Sequence, residues 1–249
     1  MKRFRLSWQT LLMLSLLILS AIFYFTHYLL FRDPHHIFIF LVGDIAFVPI
    51  EVLLVTLIIH RVLNEREKKA LLEKLNMLIG AFFSELGIAL IKKFSEFDTN
   101  CERIQEEVKG KSFTKKEYPQ LKNRLRNYDC QIDIYSAGLE DLRTTLYEKR
   151  DFLLRMLENP NLFEHDTFTD LLWAVFHLTE ELIYRKDLKH LSKADSVHIA
   201  GDIKRAYDLI ILEWLDYMKH MKENYPYLFS LAVRLNPFNP EASPEFADE

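Results

Sequence analysis

The chain has 249 residues, with 32 Lys and Arg against 36 Asp and Glu and a formal net charge of −4. That balance provides no overall basic field and argues against nucleic acid as a partner. The hydrophobic fraction of 49% is an average of two unlike parts: the first 63 residues are membrane-like, and the remainder is charged and amphipathic, long enough for one sizeable soluble domain.

Residues 1–7 contain Lys2, Arg3 and Arg5, the charge pattern of a signal-peptide n-region. The apolar run that follows, 8–31, is too long for a normal signal core, and no small-x-small cleavage site comes after it. It is expected to remain as a first transmembrane helix. Residues 32–35 make a short extracytoplasmic turn in which Pro34 breaks the helix. A second apolar run over 36–62 is also long enough to cross a bilayer. Lys2, Arg3 and Arg5 precede the first run, and Arg61, Arg66, Lys68, Lys69 and Lys74 follow the second. Basic residues at both outer ends predict a multi-pass cell-membrane protein, N-in and C-in, with the large domain cytoplasmic.

Asp44 and Glu51 interrupt the second apolar run. Their spacing is two helical turns, so on a helix both side chains point the same way. A charge at mid-bilayer costs roughly 2.5–3.5 kcal/mol on insertion scales. The two acids therefore read as a polar helix-packing contact, as a cation or proton site, or as a lipid-headgroup contact. The first run offers Ser15, Ser20, Tyr24 and Thr26 but no Lys or Arg to pair with them. The expected partners are accordingly the lipid bilayer and either a second copy of the chain or another membrane protein.

Beyond the second run the chain reads as all-α, because six glycines and eight prolines leave long helix-period patterns unbroken. Residues 63–116 form a juxtamembrane helical region and linker. Within it, 77–91 is almost wholly apolar yet too short for a normal span, so it is expected to be buried or to lie on the membrane surface. Gly110 and the basic Lys111, Lys115 and Lys116 mark a linker. A cytoplasmic helical bundle is expected over 117–235, with a long helix at 118–158 that is broken near Gly138 if at all. Further helices are expected at 167–186, from a capping box at Thr167 and Asp170, and at 193–224, starting near Ser192 or Asp195. A short helix at 227–235 follows, and Trp173 and Trp214 are expected at the edges of the core. Residues 236–249 are Pro-rich and acidic and read as an extended tail. Cys101 and Cys130, with no CxxC pattern, read as reduced, structural thiols.

Common catalytic signatures are absent: there is no Gly-x-Ser-x-Gly, no phosphate-binding glycine loop and no His-Glu-x-x-His. The one metal-like pattern pairs His177 with Glu181 and His198 with Asp202, each at i,i+4 on a predicted helix, with Asp170 and Glu180 nearby. Drawn on helical wheels, both sets lie opposite the apolar faces. They point to solvent unless the two polar sides meet each other or another chain. The leading expectation is a non-enzymatic membrane-anchored scaffold, sensor or regulatory subunit, with no cofactor and no identifiable small-molecule substrate. The alternative is an oligomeric ion- or proton-conducting protein using Asp44 and Glu51. A metal-binding helical-bundle enzyme is the weaker alternative.

Overall fold

The computed structural model describes residues 8–108, 116–239 and 242–245, and the chain divides into two units, Met1–Lys68 and Lys69–Glu249. The basic residues 1–7, the Gly110 linker with Lys111 and Lys115, and the end of the acidic tail lie outside the described residues. Described regular structure is helical throughout, apart from one isolated bridge between Asp98 and Ile132.

In the first unit, α1 (Trp8–Phe31) and the opening of α2 (Pro34–Phe82) are joined by a two-residue turn. Arg32 adopts a left-handed conformation (φ 49°), and its N–H donates to the Tyr28 carbonyl at 2.8 Å. Asp33 caps α2, accepting from His35 N at 3.0 Å and His36 N at 3.2 Å. Pro34 then occupies the first helical position, where its missing N–H costs nothing. Both helices are long and apolar enough to cross a membrane, and none of their most apolar stretch is buried within the protein.

The second unit begins inside α2 and closes around α9. Of the two expected settings for the apolar segment 77–91, the structure shows the buried one: Ile79, Phe82, Phe83, Leu86, Leu90 and Ile91 are all in the core. α2 passes through a π-helical turn at Phe83–Gly87 into α3 (Ile88–Phe97). The extra residue in that turn accommodates Phe82 and Phe83, whose rings meet edge to face at 5.3 Å. After α4 (Cys101–Val108) and α5 (Glu117–Arg126), the chain leaves the helical conformation for residues 127–138. The long helix expected over 118–158, with a possible break near Gly138, is α5, this crossing loop ending at Gly138, α6 (Leu139–Glu148) and α7 (Arg150–Leu157). The loop is held by buried Asp98, whose carboxylate accepts from Asn100 N (3.1 Å), Gln131 N (3.0 Å) and the Tyr128 hydroxyl. Those three bonds, with Asp133 N donating to Phe97 O at 2.8 Å, outweigh the local helix preference.

Two antiparallel neighbours follow. α8 (Asp166–Tyr184) is capped by His165, whose Nδ1 accepts from Phe168 N at 3.2 Å, so the expected Thr167–Asp170 box does not form. Thr167 donates instead to buried Glu213. α9 (Lys193–Asn224) is capped by Ser192, which accepts from Asp195 N at 3.1 Å. It packs against α3, α5, α8 and α10 (Pro226–Arg234). Trp214 is buried at the centre of this packing, whereas Trp173 is exposed. The expected extended tail is anchored at its start, because Phe238 is buried with its ring 5.2 Å from that of Trp214.

Candidate functional site

α8 and α9 are joined by residues 185–192, a connection short enough to make them antiparallel neighbours. The last turns of α8 therefore lie beside the first turns of α9. His177 and Glu181 stand one turn apart on α8, and His198 and Asp202 one turn apart on α9. The polar sides meet. His177 Nε2 lies 3.4 Å from Asp202 Oδ2, and His198 Nε2 lies 3.3 Å from that same oxygen. Glu181 completes the group, with Oε1 3.9 Å from His177 Nε2 and Oε2 3.6 Å from His198 Nε2. The two imidazole rings are perpendicular, with centroids 6.2 Å apart.

Burial within the group is uneven. Asp202 is only 4% exposed, although the helical wheel puts it on the polar side of α9. The reason is the neighbour: α8 crosses close enough to cover that side as well as the apolar one. His177 and His198 remain half exposed. Asp202 Oδ2 is buried and accepts no hydrogen bond, even though both imidazole nitrogens approach it. Arg185, which the spacing argument overlooks, donates from Nη1 to the Glu181 carbonyl at 2.7 Å and to the Glu181 carboxylate. Its hydrogen bond holds the Glu181 carboxyl below the usual range. Arg185 Nη2 also lies 3.4 Å from Asp195. Glu180 belongs elsewhere, paired to Arg150 Nε at 2.7 Å, and Asp170 is exposed two turns earlier on α8.

Asp44 and Glu51 are separated by their surroundings. Asp44 lines a cavity of about 660 Å³ between α1 and α2, together with Ser20, Tyr24 and His27. Glu51 is not part of that lining. His27 supplies what the search for Lys and Arg partners missed: a titratable group facing the same space, its Nδ1 buried without a hydrogen-bond partner. Its ring stacks on that of His36 at 6.4 Å.

The two cysteines are free. Burial pushes the Cys130 thiol far up, and the thiol donates to Asp208 Oδ1 at 3.4 Å. A thiol held protonated in this way is a structural group, not a nucleophile.

Two family models match the chain in tandem. Residues 71–234 match "Uncharacterized protein MJ1433, C-terminal helical domain", and residues 2–63 match "MJ1433, N-terminal helical domain". Uncharacterized protein MJ1433 of Methanocaldococcus jannaschii is 46% identical over 233 residues, covering 93% of this chain and 94% of the relative. The chain belongs to this family. The gap between the two matched domains brackets the division between the structural units at Lys68 and Lys69. No solved structure matches the chain.

Proposed function

We propose that this member of the MJ1433 family is a membrane-anchored helical module, in which α1 and the first part of α2 cross the cell membrane as a hairpin. The second unit acts in the cytoplasm as a sensor, scaffold or regulatory subunit rather than as an enzyme. One observation carries the reading: two helices of membrane length, adjacent in sequence, have none of their most apolar stretch buried in the protein. A core helix of a soluble protein would be covered by its neighbours, and a signal sequence accounts for one such helix, not two. The basic flanks set the direction, N-in and C-in. Asp44 and Glu51 on the exposed surface of α2 favour self-association or a partner membrane protein.

The test is a topology reporter fused after Glu249. A reporter active only in the cytoplasm supports the hairpin; an extracytoplasmic signal overturns it. Carbonate extraction of the native membrane is the companion measurement, and release of the chain into the soluble fraction would overturn membrane insertion itself.

A second reading has its own support. Asp44 shares a cavity with Tyr24 and His27, which together make a run of proton-exchanging groups between α1 and α2. A proton- or cation-conducting oligomer would use them. Flux in liposomes should then be abolished by Asp44→Asn and survive Glu51→Gln. Wild-type liposomes without flux remove this reading and leave the anchored module.

A further inference from the structure

We propose that His177, Glu181, His198 and Asp202 bind a single divalent transition-metal ion of the zinc class, clamping the end of α8 to the start of α9. The inference stands independently of the membrane reading, because all four ligands lie within the second unit.

The geometry carries it first. Four ligand atoms placed ~2.0–2.2 Å from a common zinc ion in a tetrahedron stand ~3.3–3.6 Å from one another. Asp202 Oδ2 stands 3.3 Å and 3.4 Å from the two imidazole nitrogens, and Glu181 approaches them through different oxygens, Oε2 at 3.6 Å from His198 and Oε1 at 3.9 Å from His177. The nitrogens of His177 and His198 and an oxygen of Asp202 are mutually within 4.8 Å. Both imidazoles direct Nε2 at one carboxylate oxygen, and that oxygen accepts a hydrogen bond from neither. Hydrogen bonding alone would align one of the two N–H vectors with Asp202.

Burial is the second argument. Asp202 is 96% covered and its Oδ2 accepts no hydrogen bond, a costly state for a carboxylate unless a cation stands beside it. Arg185 is the guanidinium at hand, but it is committed to Glu181 and Asp195. In that position Arg185 orients Glu181 toward the site, as outer partners of metal ligands commonly do. The half-exposed histidines leave a path from solvent for the ion.

Donor chemistry identifies the ion. Two imidazoles with two carboxylates suit zinc, iron, manganese, cobalt, nickel or copper; calcium and magnesium prefer all-oxygen sites. Four protein ligands fill a tetrahedral zinc and leave no open position for a substrate. The site is therefore one of structure or sensing, in which metal fixes how α8 and α9 meet.

The experiment uses the full-length protein in detergent, without a polyhistidine tag, stripped with a chelator and dialysed. Zinc and cobalt are titrated calorimetrically into wild type, His177→Ala, His198→Ala, Asp202→Asn and, as a control, His190→Ala. Circular dichroism in chelator checks that each variant is folded. Wild type should bind one ion per chain, with the intense visible absorption of tetrahedral cobalt. The three site variants should bind on the order of 100-fold more weakly or not at all. His190→Ala, which alters the exposed Asp187–His190 pair, should bind like wild type. Should Asp202→Asn fail to fold, the two half-exposed histidine variants decide the matter. Lack of saturable one-to-one binding by either metal in wild type overturns the proposal. So does unchanged affinity in folded His177→Ala and His198→Ala.

Discussion

Asp98 shows how one buried carboxylate can replace several residues of helix. It is the C-cap residue of α3, its own N–H donating to Ser95 O, and its side chain reaches across the chain to the backbone of Gln131 and the hydroxyl of Tyr128 while also closing its own turn onto Asn100. Removing it strands two buried or half-buried N–H groups and a phenol, each at a cost of about 1–3 kcal/mol if left unsatisfied. Water relieves part of this, so Asp98→Ala is expected to destabilise the second unit by about 2–4 kcal/mol. Asp98→Asn keeps the shape and one acceptor oxygen and should recover about half of that loss. Thermal unfolding followed by circular dichroism checks both. An alanine variant within measurement error of wild type would mean that the 127–138 crossing is held by its apolar residues alone.

Glycine separates the elements whose course depends on packing from those set by local sequence. At Gly87, at the end of the π-helical turn, an added Cβ would lie 2.6 Å from the Phe83 ring and 2.9 Å from Phe82. Both rings are buried and have nowhere to move. Gly87→Ala is therefore expected to cost about 1–3 kcal/mol by overpacking. Gly201, on exposed α9 surface, meets nothing within 4 Å. There Ala should add about 0.5–1 kcal/mol of stability through helix propensity and a less free unfolded chain. Chemical denaturation of the pair tests the contrast, and equal shifts of the same sign would refute it. The same contrast explains what could be read without a structure. α1, the start of α2 and α9 follow from periodicity and caps, with Ser192 the cap at the expected place. The 127–138 crossing was hidden because Asp98 lies about thirty residues away, beyond any local window. At the candidate site the i,i+4 spacing named His177, Glu181, His198 and Asp202, but a wheel drawn for one helix cannot show a second helix covering it. Arg185 was legible by the same rule, since it stands at i+4 from Glu181 in the favoured acid-before-base order; only its second contact, with Asp195 on α9, depends on the fold.

At the scale of the whole second unit, three proton-holding groups meet between α3, the crossing loop and α9, and they set its response to alkali. Burial pushes the Cys130 thiol and the Tyr128 and Tyr207 phenols above their ordinary values. Tyr128 is held further by donating to Asp98, whereas the Tyr207 hydroxyl is buried with no hydrogen-bond partner. In the unfolded chain a thiol titrates near ~8.5 and a phenol near ~10. Below pH ~8.5 both folded and unfolded chains keep all three protons, and pH has no leverage through these groups. Above it the unfolded chain releases the Cys130 proton while the folded chain retains it. The unfolded state then binds fewer protons, so stability falls with rising pH, first through the thiol and then more steeply above ~10 through the phenols. Lys204 acts in the same direction: Asp129 raises its folded value, and that ion pair is lost once the ammonium deprotonates. The melting temperature of the protein should be level from pH 7 to 8 and decline from there to pH 10.5. Cys130→Ala separates the thiol from the rest. It removes one of two raised thiols at little cost in volume; burial also raises Cys101, so its profile should decline more shallowly than that of wild type between pH 8 and about 9.5, before the phenols take over. Superimposable profiles for wild type and Cys130→Ala between pH 8 and 10 would show that the buried thiol is not a source of the alkaline loss.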